Sequence, residues 1–275
     1  MKSLKLSAVA LGLAMTCGME LPPAYGQDEG GYWEKIQQRG VLRCGAASAP
    51  PYILRDPKTA AYSGIFVDLC RQFGEQLGVR IEIVDTTWDN MVAGLQAGRW
   101  DVSMALNRTP RRALAVNYSD TVWDFRISGL YDHSNPKFKM QPVSVSDIDK
   151  PGITIAMVAG TAIDAAVSKK IHNAQILRLP DIDSSRLSLV SRRADILFED
   201  ADSNAIFAAT NPQKWQAVLP NPSIAKQGIA FAVRLEAEPA DLQVLNIMIQ
   251  NEIASGQVAA LGKHYIERLG TEMRR

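Results

Sequence analysis

Between residues 41 and 106, strand-length apolar runs alternate with helix-length ones at short intervals, and few architectures accept that alternation. The run VLRCGA at 41–46 reads as a strand, and Ile65, Leu69, Phe73 and Leu77, each four residues on, lie on one face of a helix. Residues 80–84 alternate as a strand, 90–97 read as a helix closed by Gly98, and 102–106 have the length of a buried strand. Strands joined through crossover helices make a parallel sheet with helices on its faces, so an α/β domain is predicted. A short amphipathic helix at 32–39, stopped by Gly40, precedes it.

The alternation resumes further on. A strand at 125–131 and a polar stretch at 133–139 that contains Pro136 read as the crossing into a second lobe. Strands at 153–158, 176–179, 194–198 (ending at Glu199-Asp200) and 215–219 follow, interleaved with helices that include one at 185–192. The apolar QGIAFAV at 227–233 reads as the return crossing, and helices at 241–254 and 257–269 are expected to pack back on the first lobe. The expected organisation is two α/β lobes joined by a two-strand hinge, residues 27–126 with 231–275 and residues 127–230.

The 275 residues, 47% hydrophobic and 21% charged with a formal net charge of +1, suffice for one large domain or two medium ones. Near-balanced charge without basic runs argues against nucleic acid as a partner. Residues 1–26 read as an export signal: Lys2 and Lys5, an apolar core at 6–15 too short to span a bilayer, and the small-x-small site Ala24-Tyr25-Gly26. A periplasmic product starting near Gln27 is expected; Cys17 raises a lipoprotein alternative, with Ala14-Met15-Thr16 a weak lipobox before it. Cys44 and Cys70 then remain, either as a disulfide in an oxidising compartment or as two buried thiols.

The stretch DVSMALNRTPRRALAVNYSD at 101–120 carries the chemistry. An apolar run is broken by Asn107 and Thr109, and Pro110 sits where a helix tolerates proline, in its first turn. Arg112 therefore lies near free backbone N–H groups, a poor place for a cation and a good one for catching an anion. The plainer reading of Arg112 is a solvated surface arginine. Catalytic constellations do not assemble: His133, His172 and His264 are scattered, there is no G-x-S-x-G, and the phosphate-loop imitation at 256–263 has wrong spacing and His264 where a hydroxyl is needed. Neither a cofactor nor a metal is expected.

The order of these pieces resembles the family-3 extracytoplasmic solute-binding proteins that serve ABC importers of polar amino acids. The carrying motifs are Gly40 to Gly45 with Pro50-Pro51-Tyr52, then Gly64-Ile65-Phe66-Val67-Asp68-Leu69, then Trp88, Leu95, Gly98 and Asp101, and finally Thr109 to Arg112 with Tyr118-Ser119-Asp120. The resemblance implies a type II periplasmic-binding-protein-like fold, a monomer that closes on its ligand between the lobes, and a membrane ABC permease as partner. It also implies site roles. Arg112 forks the α-carboxylate, the backbone N–H groups of Gly160 and Thr161 hold the same group from the other lobe, and Asp200 accepts the α-ammonium. Asp200 alone would read as a helix N-cap. Asn107 matches a ligand-bonding serine, Trp88 a stacking aromatic or else a core tryptophan, and Tyr52 a residue of the rim.

Three departures, Ala47 for an acid, Ala49 for an aromatic and Ile163 for a polar residue, imply a roomier, more apolar pocket less suited to lysine, arginine or histidine. The chain also resembles periplasmic cyclohexadienyl dehydratases at 150–154 and 176–181. Their general acid, three residues after the aspartate, is Ser203 here, beside Asp202, and a serine cannot supply that proton at neutral pH. Binding without catalysis is therefore expected. A sensory binding module is a third class, and no fused segment speaks for it.

Overall fold

A computed structural model describes residues 30–138 and 140–273; the expected export signal, Cys17 and Gln27 lie outside them. The chain opens with α1 (Tyr32–Arg39), β1 (Val41–Ala46), the hairpin β2 (Leu54–Arg55) and β3 (Tyr62–Ser63), α2 (Ile65–Leu77), β4 (Arg80–Asp85), α3 (Met91–Gln96), β5 (Val102–Asn107), α4 (Pro110–Ala113) and β6 (Asn117–Tyr118). β7 (Trp123–Asp132) leads into α5 (Val145–Ile148), β8 (Thr154–Val158), α6 (Ala162–Ser168), β9 (Gln175–Leu179), α7 (Ile182–Val190), β10 (Ile196–Asp200), α8 (Ala201–Ala208) and β11 (Trp215–Val218). β12 (Lys226–Val233), α9 (Pro239–Ala254) and α10 (Gln257–Glu272) complete it.

The strands lie in the order β4-β1-β5-β12-β7-β10-β8-β9. β1 pairs in parallel with β4 and β5, and β8 in parallel with β9 and β10. Between these parallel halves stand two antiparallel strands. β7 pairs with β12 through Trp123–Arg126 and with β10 from Ile127 onward, while β12 continues along β5. Two lobes therefore share a hinge of two strands.

Lobe 1 is tied together by Asp101, which is fully buried. Its carboxylate accepts from the Arg43 backbone N–H (2.8 Å) and the Arg43 guanidinium (3.0 Å), bonds Arg39, and lies 3.9 Å from Arg234. One side chain thus joins α1, β1 and the end of β12. Cys44 of β1 and Cys70 of α2 are disulfide-bonded within the core.

One difference from the sequence reading has a local cause. α7 begins at Ile182 because Asp181 caps it, accepting from Ser184 N–H at 2.7 Å. β10 ends at Asp200, where the sequence reading ended it, with Asp200 still paired to Ile127 of β7. The terminal helices do return to lobe 1, through Trp33 Nε1 to Asp241 O (2.7 Å) and Tyr265 OH to Asp68 (2.6 Å). α10 also packs against α8 of lobe 2.

Candidate functional site

A cavity of about 30 Å³ lies between the lobes, against the hinge. Ser48, Ala49, Tyr52, Trp88, Ala105 and Asn107 wall it from the lobe 1 side, with Phe125 and Ile229 of the hinge strands. Val158, Thr161, Ile163, Ile182, Glu199 and Asp200 wall it from lobe 2. The volume is room for about two water molecules, so the lobes are closed on each other.

Tyr52 reaches this place through a tight turn. Ala49 and Ile53 bridge across it (N–H to O, 2.8 Å), and Tyr52 N–H donates to Ala49 O (2.8 Å). Gly64, at φ +125°, lets the start of α2 lie against Tyr52, since a Cβ there would sit 2.5 Å from the Tyr52 carbonyl. The Tyr52 ring is 2% exposed and edge-on to Phe66 and Trp123. Its hydroxyl reaches Asp200 Oδ1 (2.8 Å) and Asp202 Oδ2 (3.2 Å). The sequence placed Tyr52 at the rim; the structure puts it at the buried floor, as a bridge from lobe 1 to lobe 2.

Asp200 caps a helix and also lines the cavity. Its Oδ1 caps α8, accepting from Asp202 N–H (2.8 Å) and Ser203 N–H (3.3 Å), and the residue lines the cavity. Burial, reinforced by the charges of Asp202 and Glu199, pushes its carboxyl up to about 7 against the Tyr52 hydrogen bond. Asp200 therefore sits near half-protonation at neutral pH. Burial also holds the Tyr52 phenol well above its ordinary value, with Asp200 and Asp202 adding to it.

Arg112 stands beside the cavity without lining it. Thr109 caps α4 by accepting Arg112 N–H (3.3 Å), which sets the arginine in the first turn as the sequence predicted. Its Nη2 donates to the Gly160 carbonyl of lobe 2 (3.1 Å), and its Nη1 is buried without a partner. Burial lowers its pKa. The Nδ2 of Asn107, 8% exposed, is likewise unpartnered, and Asn107 does line the cavity.

Gly160 meets lobe 1 through its carbonyl rather than its amide. Its N–H donates to Asp164 (3.3 Å), because Asp164 also folds back onto the start of α6. At φ +69° it is one of the points on which the lobes touch: a Cβ there would meet Asp89 Oδ1 at 1.9 Å. The Thr161 hydroxyl is committed to capping α6, donating to Val158 O (2.9 Å) and accepting from Asp164 N–H (3.1 Å). Trp88 lines the cavity and packs on both lobes' cores, its Nε1 donating to Ser48 O (3.3 Å).

Glu199 is the lining residue that sequence reasoning missed. It precedes Asp200 on β10, and strict alternation would turn the two apart; at the strand end both come to the cavity. Burial raises its carboxyl, and Arg186 of α7 lowers it less. Arg186 bonds Ser203 Oγ (2.9 Å) and leaves Nε buried without a partner. Among the described residues no group of histidine, cysteine and acidic side chains could hold a metal ion, and no helix is long and apolar enough to cross a membrane.

The sheet order and the interlobe cavity define a two-lobed molecule of the type II periplasmic-binding-protein class. The chain belongs to the bacterial extracellular solute-binding proteins, family 3, whose model matches residues 42–268. It is 23% identical over 206 residues to cyclohexadienyl dehydratase of Pseudomonas aeruginosa, covering 73% of this chain and 74% of that protein. A probable histidine-binding protein of Campylobacter jejuni is 26% identical over 152 residues, 55% of this chain and 57% of the relative. Among solved structures, an ancestral amino acid-binding protein described as a precursor of cyclohexadienyl dehydratase superposes with a TM-score of 0.76 at 27% identity, over 85% of this chain and 99% of that one. The arginine-bound form of truncated ArgBP from T. maritima gives 0.70 at 26% identity, over 79% and 99%.

Proposed function

We propose that the cleft captures an amino acid as its zwitterion and delivers it to a membrane ABC permease, without converting it. One observation carries this. Unpartnered donors, Asn107 Nδ2 and Arg112 Nη1, lie on the lobe 1 side of a cavity whose lobe 2 wall holds the buried carboxylate of Asp200. A carboxylate between the donors and an ammonium at Asp200 would satisfy groups that are costly to bury alone. The cavity is too small for an amino acid to enter as it stands, so capture proceeds through opening and reclosing about the hinge. The hinge divides the chain near Arg126 and near Ala230, giving lobes of 27–126 with 231–275 and of 127–230. Residues 1–26 would direct export and be cleaved from the product, so N-terminal sequencing of the secreted product should start near Gln27; a lipid-modified Cys17 would replace that with an anchored form.

A second reading, a cyclohexadienyl dehydratase-like enzyme, is favoured by the P. aeruginosa relative and by a carboxyl, Asp200, that keeps a proton near neutrality. Against it, the Ser203 hydroxyl is tied to Arg186, and Asp202 accepts from Trp123 Nε1 (2.9 Å) and faces Tyr52.

Calorimetric titration with amino acids decides. Arg112→Ala and Asp200→Asn should each lose about 2–5 kcal/mol of binding, roughly 30- to several-thousand-fold in Kd. If Asp200→Asn binds as well as wild type while Arg112→Ala does not, the ligand is a carboxylate without an amine. Turnover of a cyclohexadienyl substrate above background would establish the enzyme instead.

A further inference from the structure

We propose that Glu199 determines specificity, selecting an amino acid whose side chain carries a second cationic group over neutral amino acids of equal length. This rests on the cleft being an amino-acid site, as argued above, and adds which amino acids it takes.

The case begins with the charges that face the closed cleft. Glu199 and Asp200 line the cavity from lobe 2, the Tyr52 hydroxyl joins Asp200 to Asp202, and the Arg112 guanidinium stands beside the cavity on the lobe 1 side. Arg112 spends its reach across the cleft on the Gly160 carbonyl, which leaves the acidic lobe 2 wall short of positive charge. A neutral zwitterion uses Arg112 and Asp200 and leaves that imbalance untouched. A ligand with net charge +1 removes it.

Among the described residues Arg186 is the cation that bears on Glu199, and it is turned to other partners. Its Nη2 bonds Ser203 Oγ (2.9 Å) and its guanidinium lies over the Phe207 ring (5.3 Å). Burial outweighs it, leaving the Glu199 carboxyl raised. A cation on the ligand would meet a carboxylate short of compensation, so binding it gains more than the same contact made in water.

Orientation follows from the donors. Asn107 Nδ2 is unpartnered, 8% exposed and part of the cavity wall, so it fixes the ligand carboxylate on the lobe 1 side. The ligand side chain is then directed along Val158, Ile163 and Ile182, an apolar surface suited to a methylene stem, toward Glu199. The sequence argued the other way because Ala47 stands where an acid would favour basic ligands. Ala47 is 3% exposed and packs in a lobe 1 core rather than against the cavity. The acid comes from the opposite lobe.

The test is calorimetric titration of the mature chain at pH 8 with L-lysine and with its uncharged near-isostere L-norleucine. Wild type should bind lysine at least about tenfold more tightly, the range expected when a buried charge finds its partner. Glu199→Gln should lose most of that ratio by weakening lysine, with norleucine little changed. Equal binding of the two ligands by wild type, or a ratio preserved in Glu199→Gln, overturns the assignment. Should Glu199→Gln not fold, Glu199→Asp withdraws the carboxylate by one methylene and should weaken lysine selectively; an unchanged ratio again overturns it. If norleucine binds and lysine does not, only the role of Glu199 falls. If no amino acid binds, the amino-acid cleft itself falls.

Discussion

The two most deeply buried aspartates among the described residues, Asp101 and Asp200, are equipped in opposite ways. Asp101, at the foot of lobe 1, receives a backbone N–H, the guanidiniums of Arg43 and Arg39, and the charge of Arg234. Asp200, at the cleft, receives one tyrosine hydroxyl and the two amides of the helix it caps, with Asp202 and Glu199 as charged neighbours. The first is complete without any other molecule. The second is a carboxylate short of positive charge, pushed up to about 7 by burial. Local saturation thus separates a side chain that holds the fold from one left short of partners, the one we propose for a ligand, although both are almost inaccessible to solvent.

The contrast is sharpest in stability against pH. Between the ordinary carboxylate value of 3.8 and about 7, folded Asp200 keeps a proton that the unfolded chain has released. Its contribution to stability therefore falls as pH rises through that window, by up to about 4 kcal/mol. Asp200→Asn retains a good N-cap and has no proton to lose. Urea unfolding from pH 4 to pH 8 should find the variant more stable than wild type at pH 8, with the difference shrinking toward pH 4. Parallel profiles would mean that Asp200 is as well compensated as Asp101.

Asp101→Ala should act in the opposite direction. It strips the charge that Arg39, Arg43 and Arg234 share, and since those arginines keep some solvent the loss is about 3 kcal/mol. The urea midpoint should fall well below that of wild type. A loss below about 1 kcal/mol would reduce the cluster to an ordinary surface network.

The smallest effect is expected from Tyr52→Phe. Losing one hydrogen bond to a buried carboxylate should cost about 1–3 kcal/mol near neutral pH. That bond lowers the Asp200 pKa, so its removal should also move the pH-dependent fall in stability upward. An unmoved window would show that the hydroxyl serves Asp202 instead.

Much of this was legible in the sequence, because periodicity and turn residues report local geometry. The spacing of Ile65, Leu69, Phe73 and Leu77 gave α2, and Thr109-Pro110 gave the cap and first turn that carry Arg112. The order of short strands and helices sufficed for two α/β lobes, and Asp200 was marked by its place at the end of a strand. Tertiary structure decided what those side chains meet. Tyr52 became the floor of the cleft because a turn and Gly64 bring α2 against it. Gly160 meets Arg112 through its carbonyl because Asp164 takes its N–H. Glu199 joined the cavity because β10 ends there, next to an α7 arginine that is distant in sequence. Chain-local forces set each element and its cap; burial, and with it the charge balance of the cleft, exists only once the lobes close on one another.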